Sequence, residues 1–114
     1  MSTISTHVLD TTLGRPAAGV PVSLEHVDPS GAATRLGAGT TDLDGRLRTL
    51  LAAGRSLEQG DYRLRFDTAA YLARAGHPIF YPAVTVDFRV AESGSHYHVP
   101  LLLSPFGYST YRGS

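Results

Sequence analysis

The sequence predicts an all-β sandwich with one short helix, on three observations. Apolar and polar residues alternate with period two in most segments, the spacing that puts one side of a strand in a core and the other toward water. The 12 glycines and 7 prolines are spread along the chain rather than clustered, which cuts it into many short elements. Only one stretch, alanine-rich and closed by a glycine, departs from the strand period.

The elements follow in order. At the start, Ile4, Thr6 and Val8 share one face of an extended segment, while Ser5, His7 and Leu9 share the other. Gly14-Arg15-Pro16 breaks that segment from the next, where Val20, Val22 and Leu24 line one face. Asp28-Pro29-Ser30-Gly31 is a predicted turn, since Asp bonds back to its own backbone and Gly is free to take positive φ. Asp44-Gly45 predicts a hairpin joining residues 34–41 to 46–51. Further on, Tyr62, Leu64 and Phe66 oppose Arg63 and Arg65, and Val84, Val86, Phe88 and Val90 oppose Thr85, Asp87 and Arg89. Between these two, residues 68–76 open on Thr68 and close on Gly76, predicting a helix of about two turns. Ser104-Pro105-Phe106-Gly107 separates the last two strands. Roughly eight short strands and one helix make a β-sandwich.

Composition bounds the function. A chain of 114 residues is the size of one domain, 1–114, and 42% hydrophobic residues suffice for one core. Lys plus Arg (10) balance Asp plus Glu (10), so nothing draws the chain to nucleic acid or to an anionic membrane. With no cysteine, disulfides and thiolate chemistry are excluded. The first ten residues lack a basic segment followed by an apolar run, and no apolar run approaches the length of a membrane span; a cytoplasmic location is the simplest expectation.

Chemistry can sit on the histidines. Of the 5, His26 and His77 are expected to be ordinary surface or interface residues. His96 and His98 are two apart on a strand, so they share a face with Pro100 and Leu102, while Tyr97, Val99, Leu101 and Leu103 form the opposite, core face. If Val8 points inward, His7 is outward beside Leu9. Outward leucines beside outward histidines mark an interface or a pocket more often than a solvated surface. Taken alone, this pattern is compatible with a plain interface, with general-base chemistry, or with Zn²⁺ held by His7, His96 and His98. Arg46, after the Asp44-Gly45 turn, and the tail Tyr111-Arg112-Gly113-Ser114 carry no signal by spacing.

Both ends of the chain carry a family resemblance. Ser5-Thr6-His7-Val8-Leu9-Asp10 followed by Gly14-Arg15-Pro16-Ala17 resembles the opening of the transthyretin-like 5-hydroxyisourate hydrolases. His96-Tyr97-His98-Val99-Pro100, running on to the terminal Tyr111-Arg112-Gly113-Ser114, resembles their closing signature, and that last tetrapeptide separates them from transthyretin hormone carriers. Thr41-Asp42-Leu43-Asp44-Gly45-Arg46 and Phe80-Tyr81-Pro82 fit the same pattern. The resemblance implies a transthyretin-like β-sandwich of two four-stranded sheets. It also implies a homotetramer, a dimer of dimers with active sites where the dimers meet. The implied reaction opens a cyclic amide of 5-hydroxyisourate to give 2-oxo-4-hydroxy-4-carboxy-5-ureidoimidazoline, on the path from urate to allantoin, with no metal and no cofactor. The implied catalytic residues are His7, Arg46, His98 and Ser114. Substrate contacts are expected from His7, Arg46, Tyr111, Arg112 and His96. His7 or His98 would be the base, and Arg46 the stabiliser of developing negative charge.

Overall fold

The structure, a computed structural model, describes residues 3–52, 54–92 and 94–113. Its strands form two sheets packed face to face. One sheet is a regular antiparallel array in which β3 (Pro21–Val27) lies between β4 (Ala33–Thr40) and β6 (Gly60–Phe66), and β7 (Val84–Val90) pairs with β6 on the far side. The other is built around β1 (Thr3–Asp10). On one side β1 pairs in parallel with β8 (His96–His98) and then β9 (Leu101–Ser104), and β10 (Gly107–Thr110) pairs antiparallel with β9. On its other side β1 is met by two two-residue pieces, β5 (Arg46–Leu47) and β2 (Arg15–Pro16). Six short strands thus fill four columns, which explains why the strand count exceeds that expected for two four-stranded sheets.

The breaks have local causes. β8 and β9 are separated at Val99 and Pro100, and a proline cannot donate to the ladder. The backbone there is satisfied from the flanks: the Thr6 hydroxyl donates to the Val99 carbonyl (2.6 Å) and the Thr110 hydroxyl to the Pro100 carbonyl (2.7 Å). Thr6 can therefore sit on the core face of β1, between Ile4 and Val8, with its polar atom paired. Between the sheets, Leu24, Leu64, Phe66 and Leu101 are fully buried, as the alternation predicts, and Leu72 of the helical stretch is buried with them.

Three expectations change. Asp44-Gly45 is not a hairpin turn: β4 pairs with β3 alone, and the chain after Gly45 crosses to the other sheet to join β1. A two-residue turn signal reports the local backbone, and the strand that follows it chose a distant partner. The helix, α1 (Ala69–Arg74), is shorter than 68–76. The Thr68 hydroxyl bonds the Tyr81 carbonyl (2.6 Å) instead of capping, while Gly76, at φ +77°, ends the turn as expected. His77 is not a surface residue: its side chain is 10% exposed, and its Nε2–H donates to the Asp10 carboxylate (2.9 Å).

Candidate functional site

The outward face of β1 organises the site because the pairing on its two sides is different. On the parallel side Thr3 stands opposite His96 and Ser5 opposite His98; on the antiparallel side His7 stands opposite Arg46. Cross-strand partners bring their Cβ atoms to roughly 5 Å. Two hydroxyls, three imidazoles and a guanidinium are thereby gathered on one surface. Leu9 and Leu102, also cross-strand partners and half-buried, extend it as an apolar floor.

Arg46 is delivered by a tight turn rather than by a hairpin. The Asp42 carboxylate accepts the backbone N–H groups of Asp44 (2.8 Å) and Arg46 (3.0 Å), and the Gly45 N–H bonds the Asp42 carbonyl (2.9 Å). The hydrogen bond from the Arg46 N–H is the first cause holding the Asp42 carboxyl below its ordinary range. Gly45 adopts φ +74°, and a Cβ there would lie 2.4 Å from the Val8 carbonyl oxygen, so only glycine lets the turn press against β1. The Gly45 carbonyl in turn accepts the Val8 N–H at 2.8 Å. Among the described residues, no carboxylate lies within ion-pair distance of the Arg46 guanidinium, so its charge stays available.

The histidines are held in different ways. His7 Nε2–H donates to the Asp44 carbonyl (2.9 Å), which accepts only, so the lone pair of neutral His7 is on Nδ1. Ser5 Oγ is 2.8 Å from His98 Nδ1 and 2.8 Å from His96 Nε2, and Thr3 Oγ1 contacts His96 Nδ1. Among the described residues, His98 Nε2 has no hydrogen-bond partner. Burial is the main cause lowering the His98 pKa below its ordinary 6.5, followed by the charges of His7, His96 and Arg46, with a hydrogen bond at the Ser5 backbone opposing them. A neutral His98 with an open nitrogen suits a general base at neutral pH.

The C-terminal tail closes back on this face. Gly113 forms an antiparallel bridge with His98, its N–H donating to the His98 carbonyl at 2.7 Å. A Cβ on Gly113 would lie 2.6 Å from His98 Cδ2, so the tail packs directly on the imidazole and only glycine allows it. Tyr111 is 54% exposed. Arg112 points the other way: its guanidinium lies over the Tyr97 ring, 4.4 Å from the centroid, on the core side of β8. With Tyr111, Val86 and Phe88 it lines a cavity of about 310 Å³ away from the histidines. The structure therefore brings together His7, Arg46, His96 and His98, and does not bring Arg112 to them. Ser114 lies outside the described residues.

Two polar groups carried no signal by spacing. Ser5 was one outward serine among other polar residues; only the parallel register with His96 and His98 reveals its part. Asp10 closes β1 with its carboxylate 2% exposed, accepting the Thr12 and Leu13 N–H groups (3.0 Å each), the Tyr71 hydroxyl (2.6 Å) and His77. Among the described residues, no group of three or more His, Cys, Asp or Glu side chains is placed to hold a metal ion. No helix among the described residues is long and apolar enough to cross a membrane.

Comparison with known proteins bears on the fold and the family. The model of the HIUase/Transthyretin family matches residues 4–113. The chain is 46% identical to the 5-hydroxyisourate hydrolase of Caulobacter vibrioides, covering 100% of each. Among solved structures, it superposes on Klebsiella pneumoniae 5-hydroxyisourate hydrolase with a TM-score of 0.85 and 42% identity, over 100% of both chains. On sea bream transthyretin in complex with thyroxine it superposes with a TM-score of 0.88 and 32% identity, over 97% of this chain and 94% of that one.

Proposed function

Because the chain belongs to the HIUase/Transthyretin family, we propose that it is a 5-hydroxyisourate hydrolase of urate breakdown and that the outward face of β1 carries the reaction. The observation that supports this most is the pairing of His7 with Arg46 beside the Ser5–His98 contact. It sets a neutral imidazole with an open nitrogen next to a cation that no carboxylate pairs among the described residues.

In this reading His98 Nε2 takes a proton from water as the oxygen attacks the ring carbonyl of the cyclic amide. Arg46 faces the oxyanion of the tetrahedral centre; one such donor is worth about 3–4 kcal/mol of barrier. His7, with its Nε2–H committed to Asp44, offers Nδ1 to accept an N–H of the substrate. Breaking the C–N bond then needs a proton on the leaving nitrogen, which His98 returns. Tyr111, expected to pack against the substrate, lines the cavity beside Arg112 rather than the histidine face. His96 and Arg112 were expected to touch substrate; His96 is turned to Ser5, behind His98, and Arg112 is stacked on Tyr97 away from the histidines. Leu9 and Leu102, half-buried in the single chain, are the floor on which a second copy closes the site, in a homotetramer arranged as a dimer of dimers.

The resemblance to a thyroxine-binding transthyretin supports a second reading, a carrier that binds a flat molecule without chemistry. One assay separates them. 5-Hydroxyisourate is generated in the cuvette from urate and its ultraviolet absorbance followed with and without the protein. Decay well above the spontaneous rate is expected. Folded protein that leaves the decay unchanged rejects the hydrolase and favours the carrier.

A further inference from the structure

A hydroxyl placed between two imidazoles has a constraint that neither histidine has alone. Ser5 Oγ carries one proton, yet it lies 2.8 Å from both His98 Nδ1 and His96 Nε2. When it donates to one nitrogen and accepts from the other, the chain of contacts Thr3–His96–Ser5–His98 has two fully bonded arrangements, each the reverse of the other. In the first, His98 Nδ1–H donates to Ser5, Ser5 to His96 Nε2, and His96 Nδ1–H to Thr3; His98 Nε2 then bears a lone pair. In the second every donor is reversed, from Thr3 inward, and His98 Nε2 bears a proton. Thr3 and His96 are exposed, so the outer end meets water, while Ser5 is 8% exposed and shielded.

We propose that Ser5 and His96 are positioning residues that form a proton relay behind His98, switching it from base to acid within one turnover without its ever becoming a cation. This rests on the hydrolase reading above. In the first arrangement His98 Nε2 takes a proton from the attacking water while its Nδ1 proton moves to Ser5, the Ser5 proton to His96 Nε2, and the His96 Nδ1 proton to water at the Thr3 end. The chain is now in the second arrangement. His98 Nε2–H then gives its proton to the leaving nitrogen as the C–N bond breaks, and one proton returns inward by the same steps. One water has been added across one amide bond, and the relay is back at its start.

The surroundings explain why such a route is useful. The groups facing His98 are His7 from β1, Arg46 from β5 and His96 from its own strand, and together with burial they disfavour an imidazolium. A base that must carry the proton as a cation would work against all of them. A base that passes the charge outward does not.

The test is Ser5→Ala beside Ser5→Thr, which keeps the hydroxyl and suits a strand. With the alanine, kcat is expected to fall about ten- to a hundredfold, at the lower end of what a positioned proton-transfer group contributes, with KM within about twofold. Threonine restores kcat. A second readout needs no substrate: ¹⁵N resonances of the imidazoles. In the wild type, titrating His96 moves the His98 Nδ1 resonance with the same midpoint; in Ser5→Ala the two are uncoupled. Wild-type kcat in Ser5→Ala, or kcat and KM lost together with no rescue by threonine, overturns the relay. If the wild type does not hydrolyse 5-hydroxyisourate, the functional reading falls on its own, and the relay stands or falls on the imidazole coupling.

Discussion

The two ends of β1 each hold an imidazole against an oxygen, and they are built to opposite ends. At the C-terminal end, the Asp10 carboxylate takes four donors: two backbone N–H groups on one oxygen, Tyr71 and His77 on the other. Burial raises its pKa, but the hydrogen bonds from Tyr71, Leu13 and His77 prevail and hold it below its ordinary 3.8; the Tyr71 phenol is pushed up to about 12. No lone pair there has anywhere else to go. Toward the N-terminal end, Ser5, His96 and His98 leave one nitrogen of His98 open, and Arg46 has no carboxylate within ion-pair distance among the described residues. The saturated cluster ties α1 and the turn after β1 to the sheet. The unsaturated one has bonding capacity to spend on a substrate. Residue type alone does not separate structure from chemistry; the number of partners already engaged does.

Removing the saturated cluster's centre has the largest expected effect. Asp10→Ala leaves the Tyr71 hydroxyl and His77 without an acceptor in a buried site, which costs about 3–5 kcal/mol of folding stability. Urea denaturation followed by circular dichroism measures it. The fraction still folded retains its catalytic face. Arg46→Ala does the reverse: kcat falls about a hundred- to a thousandfold, equivalent to roughly 3–4 kcal/mol, with little change in the urea midpoint. An Arg46→Ala protein with wild-type turnover removes the residue from the mechanism.

Acid separates the two ends more gently. His98 is lowered from 6.5, so its neutral form persists below that pH, and activity falls as pH drops through the lower value. Asp10 is lowered from 3.8. Its folded pKa lies below its unfolded one, so its contribution to stability is present above about pH 4 and is lost only as pH falls through the folded value. The expected outcome is a window in which kcat/KM is already falling while circular dichroism reports native protein. Coincident loss of activity and fold would show that the two clusters are not independent.

Much of this was legible in the residues, and what was not has identifiable causes. The alternation of Ile4, Thr6 and Val8 against Ser5, His7 and Leu9, and of Tyr97, Val99, Leu101 and Leu103 against the two histidines, announced which faces turn inward. Period two is a local property and survives any choice of neighbour. The choice of neighbour is not local. Asp44-Gly45 was a correct turn signal with the wrong partner strand, and the same crossing puts Arg46 beside His7. Ser5 and Asp10 were silent because their meaning lies in a parallel register with residues about ninety positions away and in a helix about sixty positions away, respectively. His77 was expected to be an ordinary surface or interface residue for the same reason. The tail carried meaning only through its family resemblance; its physical reason, a glycine without which the chain would collide with His98, appears only when the strands are placed.

The measurement that tests the central claim most directly is the decay of 5-hydroxyisourate in the presence of His98→Ala, with the wild type and the spontaneous rate alongside and urea midpoints recorded for both proteins. If the open face of β1 is where the chemistry occurs, His98→Ala keeps the wild-type midpoint and loses about two to four orders of magnitude in turnover. If it turns over 5-hydroxyisourate at the wild-type rate, the reaction is carried elsewhere, and the unsaturated cluster is not its seat.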